Sequence, residues 1–213
     1  MKLRPLVGRA LDFVYPRICL HCDRSIRQDS LLRLCASCQG YIVPDIQRQR
    51  GDELEITSLY PYNSPLFSLL KAWKYGRDRL AGQLVLKYWK DGLDCLPQSY
   101  LGGRTTVTWV PMFPLKQIYR GRHTARDLAR STGASHAALL HRWWPVRSQA
   151  GKKRKDRLQA SAFGIVPSDR KCHEILLVDD IVTTGRTLTL CAEILQPMCE
   201  GDLRAVTLLR ADT

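Results

Sequence analysis

At 213 residues with 45% hydrophobic content, the chain has room for one α/β domain of ordinary size plus a small appendage, and it is too apolar to be a disordered or fibrous protein. Its 33 Lys and Arg against 20 Asp and Glu leave a net charge of +13, which favours phosphate-rich ligands or polyanionic partners. No run of roughly 18 apolar residues occurs, and charge breaks up the first dozen positions, so neither a membrane-spanning helix nor a signal peptide is predicted and the expected location is the cytoplasm.

Leu3, Leu6, Val7, Ala10, Leu11 and Val14 recur at helical intervals and predict a short amphipathic helix that ends before Pro16. Next come Cys19-Leu-His-Cys22 and, after a 12-residue spacer, Cys35-Ala-Ser-Cys38. With 8 cysteines and no export signal, the paired ones point to metal ligation rather than to a disulfide framework. Each two-residue gap presents two thiolates to one side of a tetrahedral zinc ion. The spacer is slightly short for a zinc ribbon, which leaves an iron–sulfur cluster or unbound thiols as rival readings. His21 is read as a bystander. Residues 1–50 carry 9 basic and 4 acidic side chains, a surface suited to nucleic-acid phosphates and equally to a structural plug. They are taken as a zinc-finger module, and residues 51–213 as a second domain.

The polar stretch from Arg48 to Glu55 reads as the join. A strand is expected over 55–60, a turn over 61–65, and helices over 66–75 and 79–90, with Leu69, Leu70 and Trp73 on one face and Leu80, Leu84 and Tyr88 on another. Aromatics at this spacing suit a core better than a base-stacking platform. Thr105 to Val110 predicts a second strand that meets the turn Pro111-Met-Phe-Pro114, at an edge where α/β proteins bind ligands. Arg120-Gly-Arg-His123-Thr-Ala-Arg126 then opens a basic helix running to Ala129.

Residues 147–157 hold 6 basic groups against one acid and predict a mobile loop, either a cationic closure over a pyrophosphate leaving group or a nucleic-acid-binding surface. The last part of the chain is the most informative. Ile175 to Val178 is a continuous apolar run that suits a strand buried on both faces, stopping at Asp179 and Asp180. Thr183-Thr-Gly-Arg-Thr187 follows and leads into a helix through Leu195, with a final strand over 203–209. Helix-start N–H groups and threonine hydroxyls can hold one phosphate, while the carboxylates reach the vicinal hydroxyls of an attached ribose. An ordinary capped turn is the rival reading.

A strand, two acids and Thr-Thr-Gly-x-Thr resemble the phosphoribosyl pyrophosphate (PRPP) motif of type I phosphoribosyltransferases. Together with the four cysteines, the Arg-Gly turn and the basic loop, the whole chain resembles the ComF family, also called GntX-like, whose members are linked to natural competence and to use of external DNA as a nutrient. The resemblance implies an α/β fold: a small N-terminal four-cysteine zinc finger followed by a type I phosphoribosyltransferase-like domain with a mostly parallel central sheet flanked by helices. It implies structural zinc on Cys19, Cys22, Cys35 and Cys38. Asp179 and Asp180 would meet the ribose hydroxyls, and Thr183, Thr184, Gly185, Arg186 and Thr187 the 5-phosphate, with Mg²⁺ accompanying PRPP. Pro111 and Arg120 belong to the expected substrate site, and Lys152, Lys153 and Arg154 would close over pyrophosphate. Single-stranded DNA and competence-machinery proteins are the expected partners, either of an enzyme with an unnamed acceptor or of a non-catalytic DNA-binding accessory protein that senses PRPP. The chain departs from the family where Arg122 and His123 replace an aromatic-Asn pair and where Leu158 stands ahead of Ala162-Phe163 in place of an Asn. Thr183 occupies a position where purine-salvage members carry a base Asp, a role threonine cannot fill at neutral pH.

Overall fold

A computed structural model describes residues 17–26, 33–51, 54–143, 163–167 and 171–211, with the side chains of Lys116 and Arg120 excepted. The expected N-terminal helix and the basic loop with Lys152, Lys153 and Arg154 lie outside the described residues. The described residues form two compact units, one reaching Val43 and including Asn63–Tyr88, the other made of Pro44–Tyr62 and the chain from Trp89 onward.

In the first unit a short helix α1 (Ala36–Gly40) carries the second cysteine pair, and two longer helices follow, α2 (Pro65–Gly76) and α3 (Arg79–Leu93), whose last turn belongs to the second unit. Pro65 suits the first turn of α2, where its missing N–H costs nothing. Leu66, Leu69, Leu70 and Trp73 form its buried stripe. A Cβ on Gly82 would sit 2.4 Å from Trp73 Nε1, so glycine is what lets α3 approach the indole. Trp73 is core, as its spacing predicts.

The second unit is built on a five-stranded sheet in the order β1-β2-β7-β6-β3. Its strands are β1 (Gln47–Arg50), β2 (Glu55–Pro61), β3 (Thr105–Trp109), β6 (Glu174–Val182) and β7 (Leu203–Arg210). Between β3 and β6 in the chain come β4 (Leu140–Arg142) and β5 (Phe163–Ile165), which pair with each other as an antiparallel hairpin. All sheet neighbours are parallel except β1, which pairs antiparallel with β2. The stretch read as a polar join is therefore an edge strand, and the expected boundary at residue 50 falls inside the β1–β2 hairpin. Its four side chains are all exposed, so no alternation of polarity announced it.

Central strand β6 is buried on both faces, with Ile175, Leu176, Leu177 and Val178 each at most 1% exposed. Burying each such side chain contributes about 1.5–3 kcal/mol. Ile175 and Leu177 share a core with Leu188, Cys191, Ala192 and Leu195 of helix α6 (Arg186–Leu195). Two further helices, α4 (Pro114–Arg120) and α5 (Thr124–Ser131), lie between β3 and β4 in sequence. The single basic helix expected from Arg120 is thus broken. Gly121, at φ 64°, ends α4, and a new helix starts at Thr124.

Candidate functional site

Two places in the fold bring chemistry-bearing side chains together. In the first, the ligand atoms of Cys19, Cys22, Cys35 and Cys38 all lie within 4.8 Å of one another, with the Cys22 and Cys35 sulfurs 3.7 Å apart. Tetrahedral Zn–S bonds of about 2.3 Å place sulfurs about 3.8 Å apart, so the four fit one ion. Local turns build both knuckles. Asp23 takes the left-handed conformation after Cys22, its N–H donating to the Cys19 carbonyl, and the Gln39 N–H does the same for Cys35.

Electrostatics points the same way. Burial raises the Cys19 thiol, but N–H groups of Cys35, Cys22 and His21 outweigh it and bring the group down to about 6. Burial and the three neighbouring sulfurs push Cys38 far up, a conflict that a cation among them relieves. His21 stays outside the sulfur cluster, its Nδ1 3.2 Å from Ser68 Oγ, as a bystander should. Within the same unit, Arg33 pairs with Asp78 (Nε to Oδ2, 2.5 Å), which also caps α3 by accepting the Ala81 N–H.

The second place is the carboxyl end of the parallel sheet. β6 does not stop at the acids, as its apolar run suggested; it continues to Val182, paired with β7 through Asp179–Thr207, Ile181–Leu209 and Val182–Arg210. What ends there is the other neighbour. The last rung with β3 joins Trp109 to Val178, the Val110 N–H donates to the Val178 carbonyl, and the chain turns away at Pro111. Asp179 and Asp180 occupy the half-open edge this leaves, and both are half-buried.

Asp179 Oδ1 accepts the Asp180 N–H at 2.8 Å, and Asp180 Oδ2 accepts the hydroxyl of Thr124. Thr124 is buried at the start of α5, and the residue before it is the helix cap. The imidazole of His123 is buried too, edge-on to Trp109. Its Nε2 accepts the Met112 N–H at 2.9 Å, and its Nδ1 lies 3.3 Å from the Arg126 N–H. A neutral ring accepts at one nitrogen only, so the shorter contact sets the tautomer. Burial, helped by Arg126 and opposed by Asp180, lowers this ring to about 4, so it is neutral at physiological pH.

Beyond Val182 the chain opens to solvent. Thr183, Thr184, Arg186 and Thr187 are exposed, while Gly185 is buried at φ 73° and caps α6. A Cβ there would lie 2.8 Å from Ile56 Cδ1, so both the conformation and the space call for glycine. The Thr189 N–H makes the first helical bond back to Gly185, and the N–H groups of residues 186–188 lie in the first turn, where an α-helix supplies no carbonyl of its own. Beside the turn is a cleft of about 320 Å³ floored by Leu54 and Ile56 and walled by Gln49, Thr184, Thr189 and Glu193.

The fold therefore brings Asp179, Asp180 and residues 183–187 together, and ties the Pro111–Phe113 loop to them through His123 and Thr124. Pro111 is buried, and Arg120 is the last residue of α4. Asp127 pairs with Arg122 at 3.7 Å and Arg126 at 3.8 Å, so part of the basic helix start is neutralised locally. Thr124 went unread in the sequence, because no local pattern marks a hydroxyl that acts on an acid 56 positions away.

Fold and site together define a mixed α/β protein: a mostly parallel sheet, an acid-pair strand leading into a threonine–glycine turn, and an N-terminal four-cysteine module. No family model matches the chain. It is similar to Competence protein ComFC of Streptococcus pneumoniae (strain ATCC BAA-255 / R6), 23% identical over 177 residues that make up 83% of this chain and 74% of that protein. The expected resemblance to the ComF family is thereby borne out. Among solved structures, adenine phosphoribosyltransferase from Leishmania tarentolae matches over 78% of this chain and 94% of its own, at 12% identity and a TM-score of 0.39, a likeness too slight to carry an argument. No helix among the described residues is long and apolar enough to cross a membrane.

Proposed function

We propose that this protein is a ComF-type phosphoribosyltransferase-like protein that binds PRPP with Mg²⁺ at the carboxyl end of β6 and serves the uptake of external DNA or its use as a nutrient. The observation that carries the reading is the exposed threonine–glycine turn at a helix start, directly beyond two half-buried carboxylates on an open sheet edge. The 5-phosphate sits on the N–H groups of residues 186–188 and the hydroxyls of Thr183, Thr184 and Thr187, where helix and charge both favour an anion. Asp179 and Asp180 take the ribose hydroxyls. Pro111 and Arg120 belong to the pyrophosphate side, with Lys152, Lys153 and Arg154 closing over the leaving group. Positioning and charge neutralisation supply most of the catalysis when an acceptor attacks the anomeric carbon, since Thr183 offers no base. The four cysteines hold zinc as a structural element. Single-stranded DNA and competence proteins are the partners, in the cytoplasm, and the net charge of +13 supports the first of them.

Calorimetry with PRPP and Mg²⁺, with and without single-stranded DNA, tests the proposal on protein assayed for zinc. Binding of PRPP should be saturable, and an Asp179→Asn/Asp180→Asn variant should bind it about 100-fold more weakly, two charged hydrogen bonds being lost. Unchanged affinity in that variant would remove the reading. DNA affinity should fall steeply with added salt.

A further inference from the structure

Cys172 and Cys199 lie outside every motif discussed so far, and the second unit brings them together. Cys172 stands just ahead of β6 and Cys199 just ahead of β7, and the two are direct neighbours in a parallel bridge. The Cys172 N–H donates to the Met198 carbonyl and the Glu200 N–H to the Cys172 carbonyl, both at 2.9 Å. One residue further on, His173 Nδ1 lies 3.2 Å from Glu200 Oε2, a side-chain contact in the same register.

Paired residues of neighbouring strands point to one face and stand about 4.7–4.9 Å apart. A disulfide spans Cα separations of about 4.4–6.8 Å, so this pairing falls within its reach. Both side chains belong to one core, Cys172 inside it and Cys199 packed against it. Both are free thiols, and they differ in access. Cys172 is buried, whereas Cys199 is partly exposed, its Sγ 3.5 Å from the carbonyls of Gly201 and Asp202. Burial raises the Cys199 thiol above its ordinary range, which keeps it protonated and slow at neutral pH and suits it to sustained oxidation.

We propose that Cys172 and Cys199 form a redox-responsive pair that closes to a disulfide under a hydroperoxide and staples the two ends of the β6–α6 segment. The peroxide transfers one oxygen to the Cys199 sulfur and leaves as water or an alcohol. The Cys172 sulfur then attacks that sulfenic acid, the S–S bond forms, and hydroxide departs as water with the Cys172 proton. Two thiols lose two electrons and the peroxide gains them. In a reducing compartment the pair rests as thiols, and a thiol reductant reopens it. The closed ring runs from residue 172 to 199 and so contains the acid pair, the threonine–glycine turn and α6. Because it is tied at the start of β6, the opposite end from Asp179 and Asp180, the staple restrains the segment without entering the candidate site.

The test treats the full chain with hydrogen peroxide, blocks the remaining thiols and digests with trypsin without reduction. Cleavage after Lys171, Arg186 and Arg204 gives peptides 172–186 and 187–204, which should be recovered joined. Fragmentation places the bond at Cys199 or at Cys191, since the second peptide holds both. Linked protein should melt roughly 5–10 °C higher than equally treated Cys199→Ser, which shares any damage to the four-cysteine module and lacks the staple. Dithiothreitol should remove link and shift together, and this gives the same comparison within wild type should the serine variant not fold. Peroxide that carries Cys199 to its sulfinic acid with no joined peptide overturns the proposal, because a neighbouring thiol would have trapped the sulfenic acid first. So does a Cys199 left as a free thiol under peroxide that oxidises the denatured chain, or a bond made by Cys191 instead. A joined peptide with no rise in melting overturns the staple.

Discussion

The four-cysteine module and the acid–threonine turn are the two candidate sites, yet they are assembled on opposite plans. The cysteines all come from residues 19–38, and their geometry is made by turns a few residues long. The acids and threonines are also close in sequence, but what holds them comes from far away: the Thr124 hydroxyl on Asp180, His123 on the Pro111–Phe113 loop, and Ile56 against Gly185. A local site depends on its ion for its order. A site at a sheet edge depends on the fold for its aim.

Breaking the local site should have the largest effect. Cys38→Ser, or a strong chelator on the wild type, should remove one zinc per chain and abolish cooperative melting of the first unit. Structural zinc contributes on the order of 10 kcal/mol in isolated fingers. Zinc assay and a thermal melt decide it, and an unchanged melt on metal loss would mean that the module folds without its ion.

The distant support of the sheet-edge site should be gentler to remove. Thr124→Val should lower PRPP affinity about tenfold and cost about 1 kcal/mol of stability, while Thr124→Ser, which restores the hydroxyl, should recover both. If valine and serine bind PRPP equally, the hydroxyl does not aim Asp180.

A third test sharpens the contrast through pH. His123 is lowered from 6.5 to about 4 in the folded chain, so the unfolded chain takes up its proton first on acidification. Its contribution is fully present above about pH 6.5 and is lost as pH falls towards 4. Urea midpoints at pH 7, 5.5 and 4 should show a drop that His123→Gln flattens; an identical slope in that variant would assign the acid sensitivity elsewhere.

The residues that carry identity were legible in the chain itself. Two Cys-x-x-Cys pairs, a run of four apolar residues ahead of Asp179-Asp180, and Thr-Thr-Gly-x-Thr encode their geometry locally, through thiolate spacing, two-faced burial and a glycine at positive φ. The stripe Leu69, Leu70 and Trp73 was equally readable, because period and burial coincide, but on α3 the face read as Leu80, Leu84 and Tyr88 stays partly exposed and Ala81, Val85 and Trp89 are buried instead. Tertiary structure alone decided the rest. Edge strand β1 has no buried face to impose a pattern, and β6 runs past its acids because β7 still pairs with it after β3 has turned away. Thr124 and His123 acquire their contacts only where segments distant in sequence lie side by side, and a hydroxyl or an imidazole does not record in its own neighbourhood which partner the fold will bring to it.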